Sequence, residues 1–325
     1  MTEEVADLGE QADKRDLLTL QDLTDEELMS ILRLAKRLKE DLRLGRPHRH
    51  LPGKIIALLF QQPSTRTRVS FEVAIRHLGG DAIYLSWHEL QLTRGEAVAD
   101  TARVLERYVD AIVARVREHE TLVELAENAR IPVVNALSNR FHPCQVIADL
   151  LTLWERFGRL RGLKLAYVGD GANVCNSLLL GCTKVGMDIS VACPYGYEPD
   201  PEAVKWALEN AARTGSTVVL TDDPFEAVRD AHAIYTDTFM SMHIPEEERE
   251  KRYAAFVPRY QVRPELFEHA RPEAVFMHCL PAHRGEEVVA EVIDGPRSIV
   301  FDQAENRLHA QKALLLFLFG AVPVS

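Results

Sequence analysis

The sequence predicts an α/β protein made of two domains, each built on a parallel sheet. Its 325 residues are about twice the length of an average domain. Short apolar runs alternate with segments of helical periodicity in both halves, and this alternation is typical of parallel sheets. The composition, 46% hydrophobic and 27% charged, is that of a globular protein. No apolar run approaches the roughly 18 residues that span a bilayer.

The first half is predicted to alternate helices with strands. Thr24 and Glu27 form a capping-box pattern that starts a helix over 25–41. Apolar runs predict strands over 54–60, 82–85 and 111–114. Helices are predicted after the first strand and over 96–108, and Pro143 begins the last helix of this half. The first sixteen residues are expected to form a frayed tail.

Beyond Gly162 the alternation restarts, so the domain boundary is predicted near residue 150. Strands of the second half are predicted at 165–169, 189–192, 217–220, 233–235, 274–277 and 298–301. The final helical segment, 308–319, is apolar on most sides and must be buried. We therefore expect domains over 1–150 and 151–307, with a C-terminal helix over 308–325 that packs back across the first domain.

The charge and the cysteines restrict the partners and the location. The 38 basic and 49 acidic residues give a net charge of −11, which disfavours nucleic acid and anionic membranes as partners. The acidic amino terminus lacks a signal or transit pattern, so a cytoplasmic location is expected. Five cysteines without CxxC spacing predict reduced thiols. Neither HExxH nor zinc-finger spacing occurs, and we expect no metal and no cofactor.

A segment rich in hydroxyl and guanidinium groups follows the first predicted strand: Ser64, Thr65, Arg66, Thr67 and Arg68. Ligands of open parallel sheets bind beyond the carboxyl ends of the strands. The free amides of a helix start and charge-assisted bonds from arginine suit a phosphate dianion. The alternative is a helix cap with exposed arginines. The segment is not a Walker A loop, because GxxxxGK[ST] is absent.

Two other segments hold candidate groups near predicted strand or helix ends. Pro143 suits a first helical position and would direct His142 and Gln145 toward one cleft, where a neutral imidazole could donate to a carbonyl oxygen. Cys279 follows a strand and could contact a substrate. From the residues alone, His142 could equally be a structural histidine, and Cys279 a small packed group.

Gly169, Asp170 and Gly171 stand where a dinucleotide fingerprint would begin. The third glycine of GxGxxG is missing at its proper offset. A nucleotide cofactor is therefore disfavoured.

Together, in this order and at this spacing, these segments resemble the transcarbamoylase family. The likeness runs from about residue 16 through nearly the whole chain. Its strongest segments are 64–68, 100–105, 114–116, 142–145, Asp237 with Ser241 and Met242, 278–281, and 304–307. An inactive binding protein of this family is disfavoured, since the donors to an oxyanion are all present.

The resemblance implies transfer of the carbamoyl group of carbamoyl phosphate to the δ-amine of L-ornithine, giving L-citrulline and phosphate, in an interdomain cleft. It implies that carbamoyl phosphate is bound by Ser64, Thr65, Arg66, Thr67, Gln91, Arg115, His142, Gln145, Leu280 and Arg307. The catalytic groups it implies are Arg115, His142, Cys279 and Arg307. Ornithine would be bound by Asn173, Asp237, Ser241 and Met242. It further implies a homotrimer or an assembly of trimers, in which Gln91 reaches the site of a neighbouring chain.

Putrescine is the alternative acceptor within the same family. Gln61, Gln62, Pro63 and His243 depart from the pattern of the ornithine enzymes and resemble the putrescine-accepting members. Asn173 and the Ser241-Met242 pair match the ornithine pattern. A site built to pair an α-amino acid head group rejects an analogue that leaves those polar groups unpaired, so ornithine is the predicted acceptor.

Overall fold

The computed structural model describes residues 14–241 and 244–321, and its first half is organised around a parallel sheet. The strands of this half are β1 (Ile55–Phe60), β2 (Asp81–Ser86), β3 (Ala111–Arg115) and β4 (Val133–Leu137). Its helices are α1 (Asp25–Arg43), α2 (Thr65–His77), α3 (Val98–Leu105), α4 (His119–Asn128) and α5 (Pro143–Phe157). The four strands pair in the order β2-β1-β3-β4.

The second half carries a five-stranded parallel sheet. Its strands are β5 (Lys164–Val168), β6 (Asp188–Ala192), β7 (Val218–Thr221), β8 (Ala233–Thr236) and β9 (Val275–His278). Its helices are α6 (Asn173–Lys184), α7 (Pro201–Thr214), α8 (Pro224–Val228), α9 (Arg249–Phe256), α10 (Pro264–Phe267), α11 (Ala290–Ile293) and α12 (Val300–Leu318). The strand order is β7-β6-β5-β8-β9. The predicted architecture of two parallel α/β sheets is confirmed.

The strand predicted at 298–301 is wrong. Ser298 forms only an isolated bridge to Phe276, and α12 begins at Val300. A short run containing Ile299 and Val300 has no period long enough to separate a strand from the first turn of a buried helix. Asp302 lies in that first turn, where its charge favours the helix start.

β4 and α4 are absent from the predicted elements. The apolar run of β4 is interrupted by Asn135, which is fully buried and donates from its amide to the carbonyl oxygen of Leu18 at 2.8 Å. This partner is more than one hundred residues away in the chain. A buried polar residue interrupts the apolar pattern, and a hydrogen-bond partner so distant in the sequence cannot be recognised beforehand, so the strand is not predicted.

Part of the predicted amino-terminal tail is ordered against the first sheet. Residues 1–13 of that tail lie outside the described residues. Asp16 accepts a hydrogen bond from the backbone N–H of Val133 at 2.7 Å, and Leu17 bridges to Val134. The prediction of fraying as far as residue 16 is therefore wrong for residues 14–16, because Lys14 also donates to the carbonyl oxygen of Ala126.

Alternate strand residues face different cores. In β1, Ile56 and Leu58 enter a large central core that extends into the second half, while Ala57 and Leu59 face a smaller core. α5 and α12 contribute to the central core, and α12 packs on α1, α2 and α5. The two sheets are thereby held together with the carboxyl ends of their strands around one cleft. Among helices of the described residues, none has the length and apolar character of a membrane span.

Candidate active site

A cavity of about 390 Å³ lies where the carboxyl ends of strands from both sheets meet. It is lined by Pro63, Ser64, Thr65, Arg66, Thr67, Arg115, Leu137, His142, Gln145, Asn173, Val174, Asp237, Thr238, Met240, Ser241, Cys279, Leu280, Pro281, His283 and Arg307. The residues predicted for the site line this cavity, with two exceptions. Gln91 lies elsewhere, in the 3-10 helix Gln91–Arg94, and Met242 lies outside the described residues.

One wall of the cavity is the amino-terminal turn of α2. Ser64 caps this helix, and its hydroxyl accepts a hydrogen bond from the backbone N–H of Thr67 at 3.2 Å. Thr65 and Arg66 form the first helical positions, and both line the cavity. The positive end of the helix and a guanidinium group therefore face the same space, which suits an anion.

Arg68, the second arginine of this segment, does not line the cavity. Its Nε donates to Glu72 at 2.8 Å, and its guanidinium carbon lies 3.7 Å from the ring centre of Tyr84. Of the two guanidinium groups in this segment, that of Arg66 lines the cavity and that of Arg68 does not. Residues two apart lie on nearly opposite sides of a helix, so Arg66 and Arg68 point in different directions.

Three guanidinium groups surround the cavity: those of Arg66, Arg115 and Arg307. Arg115 ends β3 and is only 6% exposed, and burial together with Arg307 and Arg66 lowers the pKa of its side chain to about 10. Arg307 donates from Nη1 to Gln145 Oε1 at 2.7 Å and from Nη2 to Thr67 Oγ1 at 3.4 Å. A chain of net charge −11 thus holds a local concentration of positive charge.

His142 precedes α5 and is buried beside two of these arginines. Its backbone N–H donates to the hydroxyl of Ser177 on α6 at 2.8 Å. Burial, Arg307 and Arg115 hold the pKa of its imidazole well below the ordinary value. The imidazole is therefore neutral near pH 7, and its Nδ1 has no hydrogen-bond partner among the described residues. A neutral ring beside cationic donors can serve an oxygen that gains negative charge.

The opposite wall carries a carboxylate and a thiol. Cys279 follows β9, and its Sγ donates to Asp237 Oδ1, which follows β8, at 3.0 Å. The same oxygen accepts the backbone N–H of Thr238 at 2.7 Å. Burial and the Asp237 carboxylate raise the pKa of the Cys279 thiol well above its ordinary value. The thiol is therefore protonated and acts as a donor, so it is not poised as a nucleophile.

The ligand atoms of Asp237, His278 and Cys279 lie within 4.8 Å of one another, a spacing at which they could hold a metal ion. Both ring nitrogens of His278 already have protein partners. Nδ1 accepts the backbone N–H of Leu280 at 2.8 Å, and Nε2 lies 3.1 Å from Glu287 Oε1. The group therefore does not fit a metal without loss of these bonds, and the absence of a metal stays a prediction.

The side chain of Asn173, in the cavity wall, is already hydrogen-bonded to the protein. The Asn173 amide donates to the carbonyl oxygen of Ser138 at 2.7 Å, while its oxygen accepts the backbone N–H of Val174 at 2.8 Å. Asn173 would have to exchange one of these bonds to bind a ligand with its side chain.

Leu280 has a φ of +58°, which is uncommon for a non-glycine residue. Strained backbone of this kind is concentrated at functional sites.

Residues that pattern analysis missed also line the cavity, and His283 is the most polar of them. Its Nδ1 lies 3.3 Å from the hydroxyl of Thr238, so it joins the segment after β8 to the segment after β9. A histidine five residues beyond His278 has no spacing that would signal this role.

Gly171 has a structural purpose. A Cβ atom at this position would lie 2.3 Å from the backbone nitrogen of Pro199. Asp170 is paired with Arg252 in the interior. The loop after β5 is therefore filled by its own chain, which accounts for the missing dinucleotide fingerprint.

Two family profiles match the chain on either side of this cavity. Residues 15–155 match the carbamoyl-P binding domain of aspartate/ornithine carbamoyltransferases, and residues 161–318 match the Asp/Orn binding domain of the same family. The chain belongs to the aspartate/ornithine carbamoyltransferase family. Membership covers almost all of the described residues, and the residues that line the cavity come from both matched segments.

Relatives within the aspartate/ornithine carbamoyltransferase family include close sequence matches. An ornithine carbamoyltransferase of Pyrococcus abyssi is 57% identical over 308 residues, which are 95% of this chain and 96% of that protein. One from Bacillus subtilis is 56% identical over 301 residues, 93% and 92% of the two chains. The solved structure of ornithine carbamoyltransferase from Pyrococcus furiosus has a TM-score of 0.91 at 56% identity, covering 95% of this chain and 98% of that one.

Proposed function

We propose that this protein transfers the carbamoyl group of carbamoyl phosphate to the δ-amine of L-ornithine, releasing L-citrulline and phosphate. The observation that carries the proposal is the single cavity with three guanidinium groups and a helix start on one wall and the Asp237–Cys279 pair on the other. An anionic donor and an amine acceptor are thereby accommodated side by side. The sequence relatives named as ornithine carbamoyltransferases favour ornithine over putrescine.

The phosphate would bind at the start of α2. Ser64, Thr65, Arg66 and Thr67 offer hydroxyl, backbone N–H and guanidinium donors there. Charge-assisted bonds of this type are about twice as strong as neutral ones. The phosphate dianion would be held by the cation and by the positive end of the helix.

The carbonyl oxygen of the carbamoyl group would face Arg115, His142 and Arg307. When the amine attacks the carbonyl carbon, a carbon–nitrogen bond forms and the oxygen gains negative charge. Preorganised donors stabilise that charge, usually the largest contribution to such catalysis. The bond to the phosphate oxygen then breaks, and the phosphate takes up the proton that the amine loses. Gln145 and Leu280 would contact the carbamoyl nitrogen.

The amino acid would be oriented by Asn173, Asp237, Ser241 and Met242, with Cys279 next to the reacting amine. The Cys279 thiol is a donor to Asp237 and leaves one carboxylate oxygen for an ammonium group. When both ends of the acceptor are fixed, its translational and rotational entropy is lost on binding, and the barrier to the reaction is lower for that reason.

The two halves would divide this work, with 1–150 binding carbamoyl phosphate and 151–307 binding ornithine, while the C-terminal helix returns to the first half. The separate carbamoyl-P and Asp/Orn profiles support this division. A cytoplasmic location stays a prediction from the sequence.

The functional unit would be a homotrimer or an assembly of trimers. Gln91 lies away from the cavity of its own chain, as a residue that serves a neighbour would.

A comparison of acceptors tests the assignment. Initial rates would be measured with ornithine, putrescine and lysine at saturating carbamoyl phosphate. We expect ornithine to have the highest kcat/KM, because the head-group contacts have no partner in putrescine. Ser241→Ala should lower kcat/KM for ornithine and leave the rate with putrescine nearly as it was. A higher kcat/KM for putrescine would refute the ornithine assignment while leaving carbamoyl transfer in place.

A further inference from the structure

A fully buried carboxylate, that of Asp149, lies on α5 behind the wall of the cavity. Its Oδ1 accepts hydrogen bonds from Gln145 Nε2 at 2.8 Å and from Gln303 Nε2 at 2.7 Å. Its Oδ2 accepts from the hydroxyl of Tyr235 at 3.1 Å. These partners stand on α5, α12 and β8, so one side chain connects elements from both halves of the chain.

The donors and acceptors of this network permit only one orientation of each glutamine amide. An ionised carboxylate only accepts, so Gln145 and Gln303 must turn their NH₂ groups toward Asp149 and their oxygens away. Gln145 Oε1 then accepts from Arg307 Nη1 at 2.7 Å, and Gln303 Oε1 accepts from the backbone N–H of His278 at 3.0 Å. A guanidinium and a backbone N–H can only donate. Asp149 at the centre of the network therefore requires the same amide orientations as the two donors at its ends, Arg307 and the backbone N–H of His278.

The two ends of the network reach opposite walls of the cavity. Arg307 stands on the proposed carbonyl side, whereas His278 directly precedes Cys279 and Leu280. Without an acceptor at position 149, the Gln145 amide could turn its NH₂ group toward Arg307. Donor would then face donor, and the guanidinium would lose its support.

We propose that Asp149 is a positioning residue, whose acceptor oxygen fixes the Gln145 amide and thereby the guanidinium of Arg307. This inference rests on the proposed carbamoyl phosphate site and adds the residue that aligns it. The acceptor, rather than the charge, is the essential property, because both glutamines bind the same oxygen, Oδ1. A proton on Oδ2 would leave that oxygen free to accept.

The pKa of Asp149 bears on whether its charge or its acceptor oxygen is the essential property. Burial raises the pKa of Asp149 to about 7, opposed by the hydrogen bonds from Gln145, Gln303 and Tyr235. The raised pKa brings the loss of its proton into the neutral range of pH. A site that depended on the charge would change its activity steeply across that range, whereas one that depends on Oδ1 would not.

Two variants of similar size separate these properties. Asp149→Asn keeps an acceptor oxygen and removes the charge, and Asp149→Leu removes both. We expect Asp149→Asn to keep kcat within about 10-fold of the parent, and Asp149→Leu to lose about 100-fold or more, as when one oxyanion donor is removed. Ligand-free melting temperatures would check the folding of each variant. If Asp149→Asn lost as much as Asp149→Leu, the proposal would be overturned.

A double-mutant cycle with Arg307→Ala distinguishes positioning from general stability. If Asp149 acts through Arg307, Asp149→Leu should lower kcat by less than about 3-fold once Arg307 is alanine. If the Asp149 carboxylate were purely structural, Asp149→Leu would lower kcat by the same factor with arginine and with alanine at position 307. Equal factors would therefore overturn the proposal.

Binding measurements keep this test independent of the acceptor amine. The rise in melting temperature caused by carbamoyl phosphate or inorganic phosphate needs no ornithine, so it stays readable if ornithine proves not to be the substrate. We expect the carbamoyl phosphate shift to be reduced in Asp149→Leu and retained in Asp149→Asn. If Asp149→Leu does not fold, Asp149→Ala replaces it, since it also removes the acceptor oxygen and should lose about 100-fold or more in kcat. A parental kcat in Asp149→Ala would overturn the proposal.

Discussion

At the scale of single residues, orientation on a helix separates two arginines that the sequence presents as equivalent. Arg66 faces the cavity, while Arg68 stacks on Tyr84 and pairs with Glu72. Among the ion pairs of the described residues, none involves Arg66. Its guanidinium is therefore available for an anionic ligand.

We predict that Arg66→Ala raises the KM for carbamoyl phosphate by about 10- to 100-fold, because a charge-assisted bond worth roughly 1.5 to 3 kcal/mol is lost. Steady-state kinetics with varied carbamoyl phosphate would measure this. Arg68→Ala is the matched control, since it removes the same group two residues away and should change KM by less than about 3-fold. Similar effects of the two substitutions would contradict the proposed phosphate site.

His142 offers a second prediction at this scale, about turnover rather than binding. Because its imidazole is neutral and lines the cavity on the side where the proposed reaction develops negative charge, His142→Ala should reduce kcat by about 100-fold. The KM for carbamoyl phosphate should change less. Single-turnover and steady-state rates would establish this, with the exposed His50→Ala as control. Full turnover in His142→Ala would restore the purely structural interpretation of this histidine.

Part of the candidate site could be predicted from residue types near strand and helix ends, and most of the rest only through the family resemblance, but its supporting residues could not be predicted. Arg66 and Cys279 come after predicted strands and His142 precedes a predicted helix start, and all three line the cavity. Asp149 stands four residues after Gln145 in the buried part of α5, a spacing that places both on one face. Its partner Gln303 comes from the far end of the chain, and only folding brings the two together.

At the scale of elements, α12 shows why an apolar pattern is an incomplete guide. The helix is buried as expected, yet it also buries His309, Gln311 and Lys312. Lys312 Nζ lies 3.0 Å from His48 Nε2. Burial lowers the pKa of Lys312 to about 8, which reflects the cost of its charge in the interior. Sequence periodicity places such residues on a face but cannot state how their polar atoms are satisfied.

This helix leads to a prediction about stability in acid. Burial, together with the nearby positive groups Lys312, Lys39, His77 and His48, lowers the pKa of His309 to about 3. Glu305, 3.8 Å from His309 Nε2, is the acidic group beside the ring. In the unfolded chain the imidazole has a pKa of about 6.5. Between these values the unfolded state binds more protons, so the contribution of His309 is present above pH 6.5 and is lost as the pH falls toward 3.

Denaturant unfolding at a series of pH values from 7 to 4 would measure this loss. His309→Gln cannot titrate, so its free energy of unfolding should fall less steeply than that of the parent over the same range. Other histidines, including the buried His48 and the half-buried His77, contribute to the remaining slope in both proteins, because burial lowers their pKa values too. Identical slopes for parent and variant would show that His309 does not contribute.

At the scale of the whole molecule, the alternation of strands and helices predicts two parallel sheets but not their arrangement. The orders β2-β1-β3-β4 and β7-β6-β5-β8-β9 depend on crossovers that periodicity does not encode. The shared cleft depends on the central core, in which residues from both halves pack together. Contacts between distant segments set both features, so they become visible only in the folded chain.

The proposed exchange of Gln91 between chains makes the last prediction one about the assembly. With carbamoyl phosphate well below the KM of the parent, Gln91→Ala and Arg66→Ala should each strongly lower the activity of every site of a homotrimer, since one removes the residue given to the neighbour and the other removes a residue of the chain's own cavity. When the two variants are unfolded together, mixed equally and refolded, about a quarter of the sites should contain an intact Arg66 beside an intact neighbouring Gln91. Activity should therefore reappear in the mixture at about that fraction of the parent, and mass photometry would check that trimers form. If Gln91 acted within its own chain, every site would keep one defect, and mixing would restore nothing.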